Sequence, residues 1–230
     1  MQNLPTAETY AKEVKYMPLG ILISEITDFV VKNVPQGGAV LDLLCGTGNL
    51  LGELQKRRSD ISFTGVDLDQ EFIEYASRQY TGIKFVTADV STWASEKQYD
   101  CVLVTGGLHH LPYEKQDPFV KKTSELINSD GFAIIADPYI DDYSSEEERK
   151  IAAAKLGYEY LIATIKNGAT DDVIKATASL IENDLLQVEF KSSVKKVGPL
   201  FRKYFTHIKM HKAWPREHTE YGDYYFILKK

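Results

Sequence analysis

Short apolar runs alternate with amphipathic stretches along the chain, and that rhythm predicts most of the fold. Ala39-Val40-Leu41-Asp42-Leu43-Leu44 is a nearly continuous apolar run introduced by Gly37-Gly38, the pattern of a strand buried on both faces. Leu50, Leu51 and Leu54 then recur at helical spacing. A second strand is expected over 61–67, and a helix from there to about residue 80. Asp69 is placed to cap that helix, with Phe72, Ile73 and Ala76 on one face. Gly82 closes it, and strands follow over 83–86 and 99–104. A helix over 115–128 and the turn Asn128-Ser129-Asp130-Gly131 lead to a fifth strand over 132–136. Strands and helices alternating in this way imply parallel βαβ units with right-handed crossovers, hence an α/β, doubly wound, Rossmann-like sheet.

The rhythm changes after the fifth strand. Helices are expected over 144–166 and 170–186, separated by Asn167-Gly168, with Thr170-Asp171-Asp172 suited to a helix start. A shorter helix should end near residue 204, before late strands over 205–211 and 223–229. With no internal repeat or linker, residues 1–230 read as one domain. Its expected appendages are a helical arm over 1–36 and a helical lid insertion over 139–190, above the carboxyl edge of the sheet.

The composition of 230 residues, 43% hydrophobic and 26% charged, suits an ordinary globular domain with a large core. No apolar run approaches the ~18–20 residues of a membrane span. The start Met1-Gln2-Asn3-Leu4-Pro5 lacks the basic-then-apolar pattern of a secretory signal, so the expectation is a cytoplasmic protein without membrane contact. Two cysteines, Cys45 and Cys101, cannot form a disulfide framework or zinc cluster, and the five histidines show no ligand spacing, so no metal is expected. A net charge of −6 weighs against a nucleic-acid partner. Residues 191–216 nevertheless hold eight Lys and Arg and no acid. That segment reads either as a solvated surface or as an attractor for an anionic partner, RNA included.

In a doubly wound sheet, ligands bind at the carboxyl ends of the strands near the topological switch point. Three such ends carry informative residues. Asp42-Leu43-Leu44-Cys45-Gly46-Thr47-Gly48 is a tight strand-to-helix turn in which Gly46 and Gly48 let the backbone approach a ligand. Asp67, ending the next strand, can accept both hydroxyls of a ribose. Asp89 in Ala88-Asp89-Val90 offers an acceptor beside a backbone amide, which suits the amine edge of adenine. The dinucleotide fingerprint would need a third Gly three positions after Gly48, where Leu51 stands. Asp42 would also repel a pyrophosphate but favours a cationic ligand. An adenosine carrying a sulfonium and an amino acid fits all three positions.

On these residues the chain resembles the class I S-adenosylmethionine-dependent methyltransferases. Val40 to Gly48 is similar to their motif I, Gly65-Val66-Asp67 to the acidic ribose site, and Ala88-Asp89-Val90 to the adenine site. The stretch Asp100-Cys101-Val102-Leu103 through Leu108-His109-His110-Leu111-Pro112 resembles the fourth-strand motif of the small-molecule branch. The resemblance implies a seven-stranded sheet with an antiparallel last strand and S-adenosylmethionine as cofactor. It also implies a cofactor site drawn from Tyr16, Asp42, Leu44, Gly46, Gly48, Asp67, Leu68, Asp89, Val90 and Thr105. Leu44 departs from the family's first glycine in motif I. Its backbone carbonyl can still meet the methionine amine, with the side chain expected to turn toward the core.

Methyl transfer from a sulfonium is an in-line displacement, so the protein must chiefly align the partners, exclude water and, where needed, take a proton. His109 and His110 follow the fourth strand and are the candidate bases for an acceptor oxygen or nitrogen. Tyr10 and Tyr16 lie in the N-terminal arm, where an aromatic can flank the sulfonium. Asp137-Pro138-Tyr139 differs from the Asp/Asn-Pro-Pro-Tyr signature of nucleic-acid amino-methyltransferases, which belongs after the fourth strand and has a second Pro. A small-molecule acceptor is therefore expected, in a pocket under the 139–190 insertion. The alternatives are another group transfer or rearrangement with the same cofactor, and an RNA-directed enzyme using the basic segment.

Overall fold

The computed structural model describes residues 5–186 and 189–230; the first four residues of the expected arm, and 187–188 of the expected insertion, lie outside them. The apolar run becomes β1 (Ala39–Leu43), with Val40, Leu41 and Leu43 wholly buried. Burial of each such side chain contributes roughly 1.5–3 kcal/mol. β1 lies between β2 (Ser62–Asp67) and β4 (Tyr99–Thr105), parallel to both. The other strands are β3 (Lys84–Thr87), β5 (Ile127–Tyr139), β6 (His207–Trp214) and β7 (Gly222–Lys229). They form one seven-stranded sheet in the order β3-β2-β1-β4-β5-β7-β6, in which β7 runs antiparallel to both β5 and β6. The order reverses between β1 and β4, so the switch-point crevice opens at the carboxyl tips of those two strands.

The described helices are α1 (Ala7–Tyr16), α2 (Leu19–Asn33), α3 (Asn49–Arg57), α4 (Gln70–Gln79), α5 (Tyr113–Glu125), α6 (Glu146–Lys166), α7 (Asp171–Leu185) and α8 (Val194–Arg202). One face of the sheet packs on Leu22, Ile26 and Val30 of α2 and on Leu50, Leu51 and Leu54 of α3. The other packs on Phe119 and Val120 of α5 and on Val197 and Phe201 of α8. Asp69 caps α4 by accepting from the Phe72 amide at 3.1 Å, as its position predicts.

One boundary departs from the sequence pattern. The expected turn at 128–131 lies inside β5, as a bulge between the Tyr99–Ile127 and Cys101–Phe132 pairs. Asp100 stabilises it: one carboxylate oxygen accepts from Asn128 and the other from the Ala39 amide, both at 2.7 Å. Turn-type residues are thus held in the sheet by a side chain that bridges three strands.

A third apolar cluster joins Met17 at the end of α1 to Ala152, Ala153, Leu156 and Tyr160 of α6, with Ile140 and Tyr221 from the ends of the sheet. It seats α6 beside the sheet's carboxyl edge. α7 packs closely on α6 where Gly157 leaves room: a Cβ there would come within 2.6 Å of Ile181. α1 meets this pair through the exposed Lys12–Asp172 ion pair and a bond from Asn167 to the Tyr16 carbonyl at 2.7 Å. No helix among the described residues is long and apolar enough to cross a membrane.

Candidate functional site

Two polar regions meet at the switch point. The first is the tip of β1 and β2. Asp42, only 2% exposed, carries a carboxylate oxygen with no hydrogen-bond partner. Burial, followed by the charge of Asp67, pushes its carboxyl well above the usual range. A buried oxygen of this kind is costly unless something meets it, and an ammonium or a water held by a ligand does so. Asp67 presents its oxygens differently: one accepts from the Gly46 amide at 2.7 Å and the other from the Asp69 amide at 3.0 Å. Burial raises its pKa, and those two bonds oppose the rise. Each oxygen retains lone pairs for a ligand hydroxyl.

Gly46 and Gly48 both have left-handed backbones, with φ of 52° and 76°, so each is where a turn of this shape requires glycine. Tyr10 of α1 covers Gly46, its ring 3.1 Å from where a Cβ would sit, and packs on Phe72 with centroids 4.9 Å apart. Tyr16, at the other end of α1, contributes its carbonyl to Asn167 and lies under Lys15; it is not brought to the glycine turn. Leu44 has φ of 64°. That is the left-handed region that favours glycine, and the Leu44 side chain packs against Gly107, where a Cβ would lie 2.8 Å from the leucine. Leu68 is a large apolar side chain left 66% exposed beside Asp67. Asp89 accepts from the Ser91 amide at 2.8 Å and from the Ser91 hydroxyl, which hold its carboxyl low. Val90 has its side chain in the core, and its carbonyl accepts from the Lys122 ammonium at 2.6 Å. Thr105, ending β4, has a buried hydroxyl without a partner. The orphaned oxygens of Asp42 and Thr105, with the open backbone at Gly46, suit a nucleoside bearing a cationic amino-acid tail.

The second region is a cavity, partly open to solvent, bounded by α1, α6 and α7, by the loop after β4 and the end of β5, and by Glu189 and Lys191 beyond α7. Tyr10 and Gly106 line it on the side of the first region. His109, 7% exposed in the short 3-10 turn Leu108–His110, stands in its wall. Its backbone amide and its Nδ1 both engage Asp137, at 3.0 and 2.9 Å, and its Nε2 lies 3.7 Å from Glu189. With the Nδ1 proton donated to Asp137, Nε2 is left as the acceptor, the arrangement of an oriented general base. His110 is half-buried, with its Nδ1 enclosed and unpartnered. Burial, then the neighbouring His109, lower its pKa to about 3, so it stays neutral.

Glu189 and Asp184 both bond Lys191, Asp184 through two contacts of 2.9 and 3.0 Å. Burial raises the Asp184 carboxyl against the pull of Lys191. For Glu189, Lys191 and His109 outweigh burial and hold the acid low. Glu13, 5% exposed on α1, also lines the cavity. Burial, then the charge of Glu189, raises its pKa to about 8.

Of the two candidate bases read from sequence, His109 has the orienting partner and His110 does not. Sequence reasoning missed Glu13, Asp184 and Glu189, and gave Asp137 no role, although Asp137 stands at a strand tip just as Asp42 does. Lys191 was counted with the basic segment; it is buried. In the same segment Lys195 pairs with Glu220, Lys203 with Asp117, and Lys196 lies 4.5 Å over the Tyr143 ring. The histidine spacing also concealed one grouping: His109, His110 and Glu189 each bring a donor atom within 4.8 Å of the others. Its carboxylate is already bonded by the Lys191 ammonium, which opposes a second cation there.

A family model described as a methyltransferase domain matches residues 40–131. The chain is 27% identical over 107 residues to a probable (S)-tetrahydroprotoberberine N-methyltransferase of Papaver bracteatum, covering 44% of this chain and 29% of that one. It is 25% identical over 204 residues to a fatty-acid O-methyltransferase of Mycolicibacterium smegmatis, covering 84% and 68%. The magnesium protoporphyrin IX methyltransferase of Synechocystis PCC 6803, solved with bound S-adenosylmethionine, superposes with a TM-score of 0.59 at 13% identity, covering 91% and 78%. The sheet order, the antiparallel β7 and these matches agree: residues 40–131 match a methyltransferase domain, on a fold shared with a solved S-adenosylmethionine-binding methyltransferase.

Proposed function

We propose that this protein transfers the methyl group of S-adenosylmethionine to an oxygen or nitrogen of a small molecule held in the cavity between α1, α6 and α7. The observation that carries the reading is the meeting of the two regions: the strand-tip carboxylates and the His109–Asp137 pair converge on either side of Tyr10 and Gly106. The relatives named above include one O- and one N-methyltransferase, so relationship alone leaves the acceptor atom open.

The cofactor supplies a methyl on a sulfonium, an electrophile with a good leaving group. Asp67 binds the ribose hydroxyls, and Asp89 with the Val90 amide binds the adenine edge over Leu68. Asp42 meets the ammonium, directly or through water, while Leu44, Gly46, Gly48 and Thr105 shape the channel for the amino-acid tail. Tyr10, and behind it Tyr16, belong to the N-terminal arm that closes over this site. The helices of the 139–190 insertion wall off the acceptor. His109 takes the acceptor's proton at Nε2, where the positive charge it gains falls between Asp137 and Glu189. Most of the remaining barrier is lowered by alignment and exclusion of water.

The test is calorimetric. Wild-type protein should bind S-adenosylhomocysteine, and Asp67→Ala, with its melting curve confirming a folded protein, should bind it about 100-fold or more weakly. Unchanged affinity in the variant would overturn the ribose assignment. Mass spectrometry of products from a small-molecule panel then identifies methyl transfer by the gain of one methyl.

A further inference from the structure

Among the described residues that line the acceptor cavity, carboxyls outnumber ammonium groups. Glu13, Asp184 and Glu189 stand there with Lys191. Lys191 is already committed to two of them, through both oxygens of Asp184 and one of Glu189. His110 contributes no compensating charge, since it stays neutral. His109 is engaged with Asp137 behind it. Glu13 is left over: it is nine-tenths buried and lines the cavity, and among the described residues neither a hydrogen bond nor an ion pair holds its side chain. A buried carboxyl without a partner is among the costlier features a fold can carry.

Each kind of acceptor meets this wall differently. A carboxylate or phosphate would have to displace Asp184 or Glu189 from Lys191 and would keep Glu13 protonated. A neutral alcohol would also leave Glu13 in its protonated form, raised by burial. An ammonium lets Glu13 ionise and pairs with the carboxylate so formed. The rest of the lining is apolar, with Met17 and Leu19 on one side and Leu156, Ala176 and Leu180 on the other, so the body attached to that cation is hydrophobic.

We infer that the acceptor is a primary or secondary amine, bound as its ammonium against Glu13 with an apolar body between Met17, Leu156 and Leu180. The inference rests on the methyl-transfer reading above and narrows it to nitrogen. In the step it implies, the ammonium gives one proton to Nε2 of His109, which frees the nitrogen lone pair. That pair forms the bond to the methyl carbon as the carbon–sulfur bond breaks, its electrons remaining on sulfur. The product leaves as the methylated ammonium together with the neutral thioether, and His109 returns its proton to solvent.

The experiment measures binding, independent of turnover. Protein saturated with S-adenosylhomocysteine is titrated calorimetrically with two matched sets: 2-phenylethylamine, 2-phenylethanol and 3-phenylpropionate, then octylamine, octanol and octanoate. The amine of a set should bind about 10-fold or more tightly than its alcohol, with the carboxylate weakest. Binding at pH 7 should also release close to one proton per amine, read from the dependence of the heat on buffer, because Glu13 ionises to meet the cation. Glu13→Gln should remove the proton release and bring amine and alcohol within about 3-fold, while Glu13→Asp restores part of the preference. Equal affinity across head groups, a carboxylate that binds best, or no binding by any of the six probes to the loaded protein overturns the inference. Failure of S-adenosylhomocysteine itself to bind overturns the cofactor reading instead, and the head-group comparison is then made on the free protein, where the same ranking is required.

Discussion

The two polar regions that meet at the switch point hold their carboxylates by opposite means. At the strand tips, Asp67 is fixed by amides two and twenty-one residues away, with bonds of 3.0 and 2.7 Å. Its position is a property of the backbone, and the site needs no other side chain to exist. In the cavity, Asp137 is fixed by His109, and Asp184 and Glu189 by Lys191, while Glu13 has no such partner. Each of these groups depends on side chains from other elements. Backbone-held carboxylates suit a ligand that is the same in every turnover, and side-chain networks suit a ligand whose chemistry must be specified. The strand tips therefore fit the part of the reaction shared across a superfamily, and the cavity the part peculiar to this chain.

The sharpest way to separate the regions is Asp137→Asn. The Asn amide can present N–H to Nδ1, which shifts the imidazole proton to Nε2 and removes the base. Turnover should fall by about 10²–10⁴-fold, while affinity for S-adenosylhomocysteine stays within about 2-fold. For an amine acceptor the deficit should narrow as pH approaches the amine's own pKa, because the substrate then arrives deprotonated. Asp137 is a positioning residue in this account, and a simple loss of fold would not yield that pH dependence. A variant that loses cofactor affinity and turnover together would show that the two regions are not separable.

The same contrast explains what was legible in the sequence. Asp42, Asp67 and the Gly46–Gly48 turn are close along the chain and repeat a strand–turn–helix grammar, so periodicity and spacing suffice to place them. The doubly wound sheet follows from the same grammar, while its seven strands and antiparallel last strand are implied by the family resemblance. The cavity is assembled from residues 13, 109, 137, 184, 189 and 191, which no local pattern joins. Lys191 is the clearest case: in sequence it opens a run of eight cations, and in the fold it is a buried counter-ion. Glu13 sits on an amphipathic helix and reads as a solvent-facing acid until α6 and α7 cover it. The bulge in β5 was hidden for the related reason that its residues are good turn formers, overruled by Asp100 from a neighbouring strand.

The unpaired Glu13 also gives the cavity a pH signature that the strand tips lack. Its folded pKa of about 8 lies above the ordinary value of 4.5, so the folded protein holds this proton more tightly than the unfolded chain does. The stability gained is complete below pH 4.5 and is lost as pH rises through 8, by on the order of 5 kcal/mol. Asp223, raised to about 7 by burial, erodes stability in the same direction, so the comparison has to be made against a variant. Glu13→Gln should melt close to wild type at pH 5 and about 10–20 °C above it at pH 9. Parallel melting curves across that range would mean that Glu13 is solvated, and the charge imbalance of the cavity would lose its basis.

The smallest expected effect lies on the seam between the regions, at Leu44 and Gly107. Leu44 adopts a left-handed backbone at φ 64°, which costs a side-chain-bearing residue about 1–2 kcal/mol. Gly107 makes the room its side chain needs. Leu44→Gly relieves the backbone cost but loses the packing against Gly107 and adds unfolded-state freedom worth roughly 0.5–1 kcal/mol. These contributions nearly cancel, so chemical unfolding should show a change below about 1 kcal/mol. Leu43, one residue earlier and wholly buried in β1, has no such compensation, and Leu43→Ala should cost about 2–5 kcal/mol. If Leu44→Gly destabilises as much as Leu43→Ala, the side chain at 44 is part of the core, and the left-handed turn at the mouth of β1 is not the reason this position tolerates a leucine in place of the family's glycine.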